Sequence, residues 1–589
     1  MKQYVVTASE MKRYDANTIE KYRMPSLLLM ERAALVTMEE IERARGTKPC
    51  RVLVVAGCGN NGGDGLAVGR LLMLQGYEVI CVLLGSEEKC TEETARQIAI
   101  LREYGVRIFS TMQQSEYDII SAQEKQATQS GICFSALLTS KQTAEQDEER
   151  RMRGLASIYD IISAREKQAT QSGICFDIVI DAIFGVGLSR AVEGLYRDAI
   201  EWINRSKAFV CSVDIPSGVN ADTGAAMGCA VRADLTVTYG FRKLGHLLYP
   251  GAEYAGVLAC RQMGIDERSF LGEEPYWYTH VGRDSVLLPE RSPDGNKGTF
   301  GKVLLIVGNS RIAGAAMMAV KSTFRIGAGM VKAVTAAENK ETLQQYVPEA
   351  MMLTYSEDIF TDDGSSPEKQ EDFMRELKEA ESWADCILVG CGIGTGRQAQ
   401  ELLRFGISGS SLPLIIDADG LNLLARDQSL KEAVAECGGR GRTIILTPHL
   451  GEFARLYGCT TAQAKEHLTE YPHKLAETLR CIVVCKDART VVAWHDGRQG
   501  YVNMTGNAGM ATAGSGDVLA GMITGLVAQG MSGADAAVAG VYFHGMAGDL
   551  AAQSETEVSM TAADIIDRIR DVVLLQREAM KQSEAGKRA

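Results

Sequence analysis

A single acidic side chain, Asp517, lies within a run of small residues, NAGMATAGSGDVLAG, that spans residues 507–521. The backbone N–H groups of residues 514–516 can turn toward one point, and a helix expected from about Val518 adds its positive end. Such a cradle suits phosphoryl oxygens, and a carboxylate beside it can take the proton of an attacking hydroxyl. The pattern therefore predicts phosphoryl-transfer chemistry with Asp517 as the general base. The alternative is that Asp517 only caps a buried helix.

A second group of oxygen-bearing side chains follows strand-like runs in the first half of the chain. Its members lie in the glycine-rich loop of AGCGNNGGDGLAVGRLL or at later strand ends: Asn60, Asn61, Asp64, Asp181 and Asp214. In an open parallel sheet, the carboxyl ends of the strands face the ligand crevice. Asn61, Asp181 and Ser217 can therefore converge on a hard cation, which prefers oxygen ligands, rather than on zinc. Taken singly, each acid is also compatible with a helix cap, and the loop with a tight turn.

The elements that must position these residues repeat in both halves of the chain. Apolar strand-like runs such as RVLVVAG, FDIVIDAIFG, GKVLLIVGNS and LPLIIDADG alternate with helical patterns. Continuous apolar strands separated by helices are typical of parallel sheets that are covered on both faces. We therefore expect an α/β protein of two domains, residues 1–265 and 275–589, with the seam near residues 261–277.

One segment of the first half is duplicated. SEYDIISAQEKQATQSGICF begins at Ser115, and SIYDIISAREKQATQSGICF, which differs from it at two positions, begins at Ser157. Only the second copy leads into the strand FDIVIDAIFG, so one copy is surplus to the alternating pattern. The entropy cost of closing a longer loop grows slowly with its length. We expect residues from about 121 to 170 to loop out from the domain without a catalytic role.

Composition limits the classes of partner. The chain has 589 residues, 46% of them hydrophobic and 23% charged, and a formal net charge of -13. This acidic balance argues against a general nucleic-acid or anionic-membrane surface. The 15 cysteines include no CxxC pair, and neither an apolar signal core nor an apolar run of membrane-spanning length is present. We expect free thiols and a cytoplasmic protein, which acts as a homo-oligomer on small molecules.

The motifs of the first half resemble the epimerase domain of the bifunctional NAD(P)H-hydrate repair enzymes. The likeness rests on MPSLLLMERAA, AGCGNNGGDGLAVGRLL, DAIFGVGL and VDIPSGVNADTG, and it covers residues 1–260 apart from the insertion. It implies a Rossmann-like α/β sandwich, a K+ ion on Asn61, Asp181 and Ser217, and Asp214 as a catalytic acid–base. Cys58 stands where that family often has a basic residue. The dinucleotide-binding residues that the resemblance implies are Asn60, Asn61, Gly62, Gly63, Asp64, Gly185, Val186, Gly187, Leu188, Ser189, Arg190, Ala191 and Asp214.

The motifs of the second half resemble the ADP-dependent NAD(P)H-hydrate dehydratase, a ribokinase-like α/β fold. They are GNSRIAGAAMMAVKSTFRIGAGMVKAV, LVGCGIGTG, IIDADGLNLL, LTPHLGEFARL and NAGMATAGSGDVLAG, and the likeness covers residues 277–580. The substrate contacts that it implies are Ala315, Gly394, His449 and Asp517. The adenine-nucleotide contacts that it implies are Lys486, Asp487, Ala488, Arg489, Thr490 and Gly516. The KDART segment departs from the glycine-richer family form, and His449 taken alone would more often be a core or capping histidine.

Together, the two resemblances imply repair of hydrated NADH and NADPH. One half would interconvert the R and S hydrates, and the other would dehydrate the S form with ADP and Mg2+, which releases AMP and phosphate. In that reaction Asp517 would deprotonate the hydroxyl of the hydrate, and the phosphate ester formed would then be expelled. Two alternatives stay open: a small-molecule kinase with a stable phosphorylated product, and a first half that is a non-catalytic binding module.

Overall fold

The chain folds into two compact units, which meet in sequence at Pro275 and Tyr276. The computed structural model describes residues 2–110, 176–282, 286, 288–360, 367–497 and 499–588. The first unit is Val5–Pro275, and the second is Tyr276–Ala589 together with Met1–Tyr4. The insertion proposed at about residues 121–170 lies outside the described residues. No helix in the described part of the chain combines the length and the apolar character needed to cross a membrane.

The first unit is built on a parallel sheet in the order β4-β3-β2-β5-β6-β7-β9. Its central strands are buried runs of valine, isoleucine and leucine, as expected for a sheet with both faces covered. A short parallel pairing joins β1 to β8. The strands up to Pro275 are β1 (Lys2–Val6), β2 (Arg51–Ala56), β3 (Glu78–Leu83), β4 (Arg107–Ser110), β5 (Ile178–Ala182), β6 (Phe209–Val213), β7 (Leu235–Tyr239), β8 (Arg242–Lys243) and β9 (Val257–Arg261).

The helices of the first unit bring the glycine-rich loop close to the sheet. A Cβ on Gly65 would lie 2.2 Å from the Cβ of Ala182, so only glycine lets the helix that follows the loop pack on β5. The first helix of the chain begins with a capping box between Thr7 and Glu10. The helices are Ala8–Tyr22, Ser26–Arg45, Asn60–Leu74, Glu92–Glu103, Gly194–Arg205, Leu244–Leu247 and Gly251–Tyr254.

The second unit contains a longer sheet in the order β13-β12-β11-β14-β15-β16-β17-β18-β19-β10. Strands β13 to β17 are parallel, whereas β17, β18 and β19 form an antiparallel meander that the sequence patterns did not predict. The strands are β10 (Trp277–His280), β11 (Lys302–Ile306), β12 (Met330–Ala336), β13 (Met351–Tyr355), β14 (Cys386–Val389), β15 (Leu414–Ile416), β16 (Ile444–Leu446), β17 (Ile482–Cys485), β18 (Val491–Trp494) and β19 (Gly500–Val502).

A nearly fully buried helix supports the acid-bearing loop of the second unit. It begins at Ser515, three residues before the predicted start at Val518, because Gly514 adopts a left-handed φ of 92° and ends the preceding turn. Asp517 therefore lies within the first helical turn. The helices are Gly314–Arg325, Lys340–Tyr346, Pro367–Trp383, Arg397–Ser408, Asp419–Arg426, Gln428–Gly439, Leu450–Tyr457, Thr461–Glu466, Tyr471–Leu479, Ser515–Ala528, Gly533–Ser559 and Ala562–Arg588.

Candidate active sites

Four adjacent parallel strands of the second unit deliver polar residues to one edge of the sheet. Cys391 follows β14, Asp417 follows β15, His449 follows β16 and Lys486 follows β17. Because these strands are neighbours in this order, the four side chains lie along the carboxyl edge where parallel sheets bind ligands. The helix Ser515–Ala528 adds Asp517 to the same place, since the ligand atoms of Cys391, Asp417 and Asp517 all lie within 4.8 Å of one another.

A buried ion pair lies against the beginning of that helix. The Nζ atom of Lys486 is 2.8 Å from Oδ1 of Asp417, whose side chain is 1% exposed. A Cβ built on Gly516 would be only 3.1 Å from the same Nζ atom. Burial lowers the pKa of Lys486, but Asp417 and Glu452 outweigh that effect and leave the pKa raised. A fixed positive charge therefore stands beside the helix N-terminus, where both favour an anion.

The environment of Asp517 tunes it toward proton transfer. Burial is the main cause that raises its pKa to about 6, and the negative charge of Asp417 adds to it. A hydrogen bond with Cys391 and the charge of Lys486 act in the opposite direction. A carboxylate with a pKa just below neutrality is largely ionised at pH 7 yet can hold a proton, which is what a general base requires.

The backbone is strained at Ala418, the residue between two acids of this site. Ala418 has φ 51° and ψ -116°, outside the regions that L-residues normally occupy, a conformation that costs on the order of 1–3 kcal/mol. Its neighbours are Asp417 and Asp419, and Oδ2 of Asp419 accepts a hydrogen bond of 2.8 Å from the backbone N–H of Gly394. A Cβ on Gly390 would lie 1.9 Å from the carbonyl oxygen of Asp417, so this loop must approach the strand end closely.

His449 caps the start of the helix Leu450–Tyr457, the role that the sequence offered as an alternative to ligand binding, and its ring is exposed to solvent. Its Nδ1 atom accepts a hydrogen bond from the N–H of Gly451 at 3.0 Å, and its own N–H donates to Glu452 at 2.9 Å. Its side chain is nevertheless 56% exposed. Burial raises the pKa of Glu452 to about 7. A helix cap and a ligand contact are therefore compatible for His449.

The remaining residues predicted for the second unit surround the same strand ends. Ala315 lies at the start of the helix Gly314–Arg325, and a Cβ on Gly392 would lie 2.9 Å from its Cβ, next to Cys391. The KDART residues that follow Lys486 form the turn between β17 and β18, where Thr490 donates to the carbonyl oxygen of Asp487 at 3.3 Å. The structure thus brings the predicted substrate and nucleotide residues together along one edge.

The first unit has a cavity of about 770 Å³ at the carboxyl edge of its own sheet. The predicted residues that line it are Asn60, Asn61, Asp64, Gly185, Val186, Gly187, Leu188, Ser189, Arg190 and Asp214. Gly62, Gly63 and Ala191 are not part of the lining. A Cβ on Gly62 would lie 1.9 Å from the carbonyl oxygen of Gly57, so this glycine serves close packing under the cavity rather than its surface.

A buried lysine that the sequence did not indicate holds Asp214 in this cavity. The Nζ atom of Lys243, whose side chain is 1% exposed, lies 2.5 Å from Oδ1 of Asp214. Burial raises the pKa of Asp214, but Lys243 and a hydrogen bond from Thr238 outweigh it, so the pKa is lowered. Asp64 lines the same cavity, and burial followed by the charge of Asp214 raises its pKa well above its usual value. One cavity therefore holds two carboxyl groups whose pKa values are shifted in opposite directions.

The three residues predicted to hold K+ have a suitable chemistry. Asp181 is fully buried and accepts hydrogen bonds from Ser212 Oγ at 2.7 Å and from the N–H of Ser217 at 2.8 Å. Burial nevertheless raises the pKa of its carboxyl group. The amide nitrogen of Asn61 is buried without a hydrogen-bond partner among the described residues, and a reversed amide would present its oxygen instead. A hard monovalent cation fits this set of oxygen atoms.

Sequence reasoning missed several residues of both sites. Asp417 and Asp419 stand in the quoted motif IIDADG, directly after a strand. This strand-end position was the feature from which a role in the site could have been predicted. Lys243 lies in GFRKLGH, where nothing in the spacing shows that its ammonium turns inward. His544 comes from a later helix, and its Nε2 atom lies 3.3 Å from Oγ of Ser515. Burial lowers the pKa of His544 to about 4, so this histidine is neutral.

Comparison with known proteins gives matches to both units. A family described as NAD(P)H-hydrate dehydratase matches residues 303–571, and one described as YjeF-related protein N-terminus matches residues 26–245. A bifunctional NAD(P)H-hydrate repair enzyme from Moorella thermoacetica is 33% identical over 573 residues, covering 96% of this chain and 95% of that protein. Its counterpart from Thermofilum pendens is 34% identical over 574 residues, covering 98% and 97%. A crystal structure of an ADP/ATP-dependent NAD(P)H-hydrate dehydratase from Bacillus subtilis is 26% identical, with a TM-score of 0.40, covering 49% of this chain and 94% of that one.

Proposed function

The chain belongs to the family of bifunctional NAD(P)H-hydrate repair enzymes, and on this premise we propose the work of each unit. The first unit interconverts the R and S hydrates of NADH and NADPH. The second unit dehydrates the S hydrate to NAD(P)H, with ADP as phosphoryl donor and AMP and phosphate as products. The observation that carries this proposal is the position of Asp517 in the first turn of a buried helix, beside the Lys486 ammonium.

In the second unit, the chain has to turn a hydroxyl group into a better leaving group. Asp517 takes the proton of the hydroxyl on the carbon beside the ring nitrogen, and the oxygen attacks the terminal phosphorus of ADP. Lys486 and the N–H groups at the helix start stabilise the negative charge that spreads over the phosphoryl oxygens. The ring nitrogen then expels phosphate, and loss of the neighbouring proton restores the dihydronicotinamide ring. The net reaction is a dehydration, although its first step is a phosphoryl transfer like that of a kinase.

A metal ion fits each unit in a different way. Mg2+, when bound, supplies positive charge to the phosphoryl oxygens, and the carboxylate of Asp417 is the oxygen ligand that would hold it. The sulfur of Cys391 is not a ligand that Mg2+ prefers. In the first unit, K+ would be held by Asn61, Asp181 and Ser217. Its positive charge would favour the ionised form of the buried Asp181. The chain's own groups supply the proton transfers in both units.

In the first unit, we infer that two carboxyl groups share the acid–base work. Epimerisation requires the C–O bond beside the ring nitrogen to break and to form again on the opposite face. Asp64, whose pKa is raised, donates a proton to the departing hydroxyl, and Asp214, whose pKa Lys243 lowers, takes a proton from the returning water. Exchange with solvent resets the two groups. The opposite directions of their pKa shifts in one cavity are the reason for this assignment.

We predict that the two activities of one protein depend differently on pH. The kcat/KM of dehydration should rise tenfold per pH unit up to a midpoint near pH 6, where Asp517 ionises, and then level off. Epimerisation should still be near its maximum at pH 6, because the pKa of Asp214 is lowered, and should decline as the pH rises through the raised pKa of Asp64. Initial rates of both reactions in the same buffers give the comparison.

An Asp64→Asn variant provides the control for the alkaline limb. Asparagine keeps the size of the side chain but cannot lose a proton in this range, so epimerisation should be slow and should no longer decline at alkaline pH. The pH profile of dehydration should stay unchanged. A common midpoint for both reactions, or an alkaline decline that survives in Asp64→Asn, would contradict these assignments.

The proposed function is tested by recovery of the cofactor from a mixture of both hydrates. With ADP, Mg2+ and K+ present, we expect the absorbance of dihydronicotinamide to return completely, because each unit handles what the other cannot. If recovery stops when the S hydrate is exhausted, the first unit does not interconvert the two hydrates, and the proposed epimerase activity is wrong. Accumulation of a stable phosphorylated product in place of NADH would indicate a small-molecule kinase.

We propose that the protein acts in the cytoplasm, as a homo-oligomer, on hydrated dinucleotides and ADP. The net charge of -13 supports small-molecule substrates over nucleic acid as partners. Light scattering of the purified chain measures the oligomeric state directly.

A further inference from the structure

Two thiols meet at the edge of the cavity in the first unit. Cys58 lies in the loop between β2 and the helix Asn60–Leu74 and lines the cavity. Cys90 lies just before the helix Glu92–Glu103. The Sγ atoms of the two residues are 3.5 Å and 3.8 Å from the same acceptor, the carbonyl oxygen of Ser86. Both thiols therefore lie beside one carbonyl oxygen.

The backbones of the two cysteines run close enough for a covalent link. The N–H of Thr91, the residue after Cys90, donates to the carbonyl oxygen of Cys58 at 3.0 Å. This contact is compatible with the Cα separation of about 4.4–6.8 Å that disulfides require, and both thiols donate to the same carbonyl oxygen. Both side chains are half-buried rather than enclosed, and Cys58 lines the cavity, so a small reagent can reach it there.

We propose that Cys58 and Cys90 are a site of reversible oxidation, at which a disulfide forms and changes the dinucleotide-binding loop. The oxidant is a small-molecule disulfide such as oxidised glutathione. The Cys58 thiolate attacks one of its sulfurs, so that a mixed disulfide forms and one glutathione thiol leaves. Cys90 then attacks the Cys58 sulfur, forms the internal bond and releases the second glutathione. Two protein thiols are oxidised while one small disulfide is reduced to two thiols.

The order of attack follows from access to the cavity. Cys58 lines the cavity, whereas Cys90 is not part of its lining, so an external disulfide in the cavity meets Cys58 first. Cys90 reacts second, because both sulfurs lie beside the carbonyl oxygen of Ser86 and the mixed disulfide on Cys58 is then within its reach.

The link would act on the loop that begins the dinucleotide site. In the reduced protein, the sulfur of Cys58 packs on Gly85, where a Cβ would lie 2.5 Å from it, and donates to the carbonyl oxygen of Leu84 at 3.7 Å. A disulfide removes that donor and draws the sulfur toward Cys90. Asn60 and Asn61 follow in the chain, so the polar groups at the cavity mouth shift with the loop. We therefore expect oxidation to slow epimerisation and to leave dehydration unchanged.

The test is peptide mapping of the full chain after incubation with oxidised glutathione, with free thiols alkylated before digestion. We expect a linked pair of peptides containing Cys58 and Cys90, which dithiothreitol separates. In Cys90→Ser the internal bond cannot form, so Cys58 should carry glutathione instead. Cys229→Ser, which removes another half-buried thiol, should keep the linked pair. Recovery of Cys58 and Cys90 as alkylated free thiols, or linked to other cysteines, would overturn the proposal.

The activity of the linked protein tests the effect on the loop. We expect the kcat/KM of epimerisation to fall about tenfold, as for a small misplacement of binding groups, and to return with dithiothreitol. Reduced Cys90→Ser should epimerise at the parent rate. An unchanged rate in fully linked protein would refute control of the loop by oxidation. If the reduced protein fails to epimerise at all, the proposed function is wrong, and the peptide map still decides whether the disulfide forms.

Discussion

Replacing Asp517 with asparagine is expected to lower the kcat of dehydration about 10²- to 10⁴-fold, the range that the loss of a general base produces. Asparagine has nearly the same shape and can keep its place in the first turn of the helix Ser515–Ala528. It cannot take the proton of the hydroxyl, so the oxygen that must attack phosphorus stays a poor nucleophile. Epimerisation should continue at the parent rate, because its acids lie in the first unit.

A substitution of a second acid in the same site, Asp419, provides a comparison for Asp517→Asn. Asp419 accepts a hydrogen bond from the N–H of Gly394 and raises the pKa of Asp517 through its charge. In Asp419→Asn we expect a smaller loss of rate and a midpoint of the pH profile below that of the parent, since one repelling charge is gone. Asp517→Asn should instead abolish the midpoint near pH 6. Rapid dehydration by Asp517→Asn would show that another group accepts the proton.

The residues that the sequence predicted best are those directly after strands or in glycine-rich loops. Asp214 and Asp181 were predicted because an acid at the end of an apolar run has no place in a core, and the parallel sheet brings such ends together. Asp517 was predicted because it follows a run of small residues whose backbone N–H groups can turn toward one point. The same argument applies to Asp417, which the motif IIDADG contained in plain view. Nothing in the motif shows that Lys486 pairs with Asp417, and this contact is what reveals the place of Asp417 in the site.

Contacts between distant segments were beyond the sequence patterns. Lys243 forms an ion pair with Asp214, 29 residues earlier, and no periodicity marks a lysine whose ammonium is enclosed. The thiol contact of Cys58 with Cys90 also depends on how a loop and a helix start pack. In the same way, Gly62 belongs to a binding motif but lies under the cavity, where close packing requires it. Spacing predicts which residues reach an edge of the sheet, whereas packing decides which face they turn to.

The antiparallel meander after β17 has a physical explanation as well. Strands β18 and β19 span only four and three residues, and the segments VVAW and GYV are too short to show a period. The sequence patterns therefore do not extend the second sheet beyond β17. The pairing of β18 with β17 also sets the turn that contains the KDART residues, so the geometry of that nucleotide loop was not accessible from the strand pattern.

A Lys243→Met variant is expected to lose about 3–5 kcal/mol of stability in the first unit, because it leaves the carboxylate of Asp214 buried without its counter-ion. Methionine is apolar and of similar length, so the loss arises from charge rather than from volume. Hydrogen exchange of peptides from β6 and β7, measured in the full chain by mass spectrometry, reports the change in this unit alone. The same variant should shift the acid limb of epimerisation to higher pH, since burial, the largest influence on Asp214, then raises its pKa without the opposing charge of Lys243.

The double variant Asp214→Asn, Lys243→Met separates the two roles of this ion pair. Removal of both charges should restore most of the protection from exchange, because neither group is left buried and unpaired. Epimerisation should nevertheless stay slow, since asparagine cannot accept the proton from the returning water. If the double variant were as unstable as Lys243→Met, packing of the lysine stem rather than its charge would hold the unit together. If it epimerised at the parent rate, Asp214 would not be the base, and the lysine would serve the fold alone.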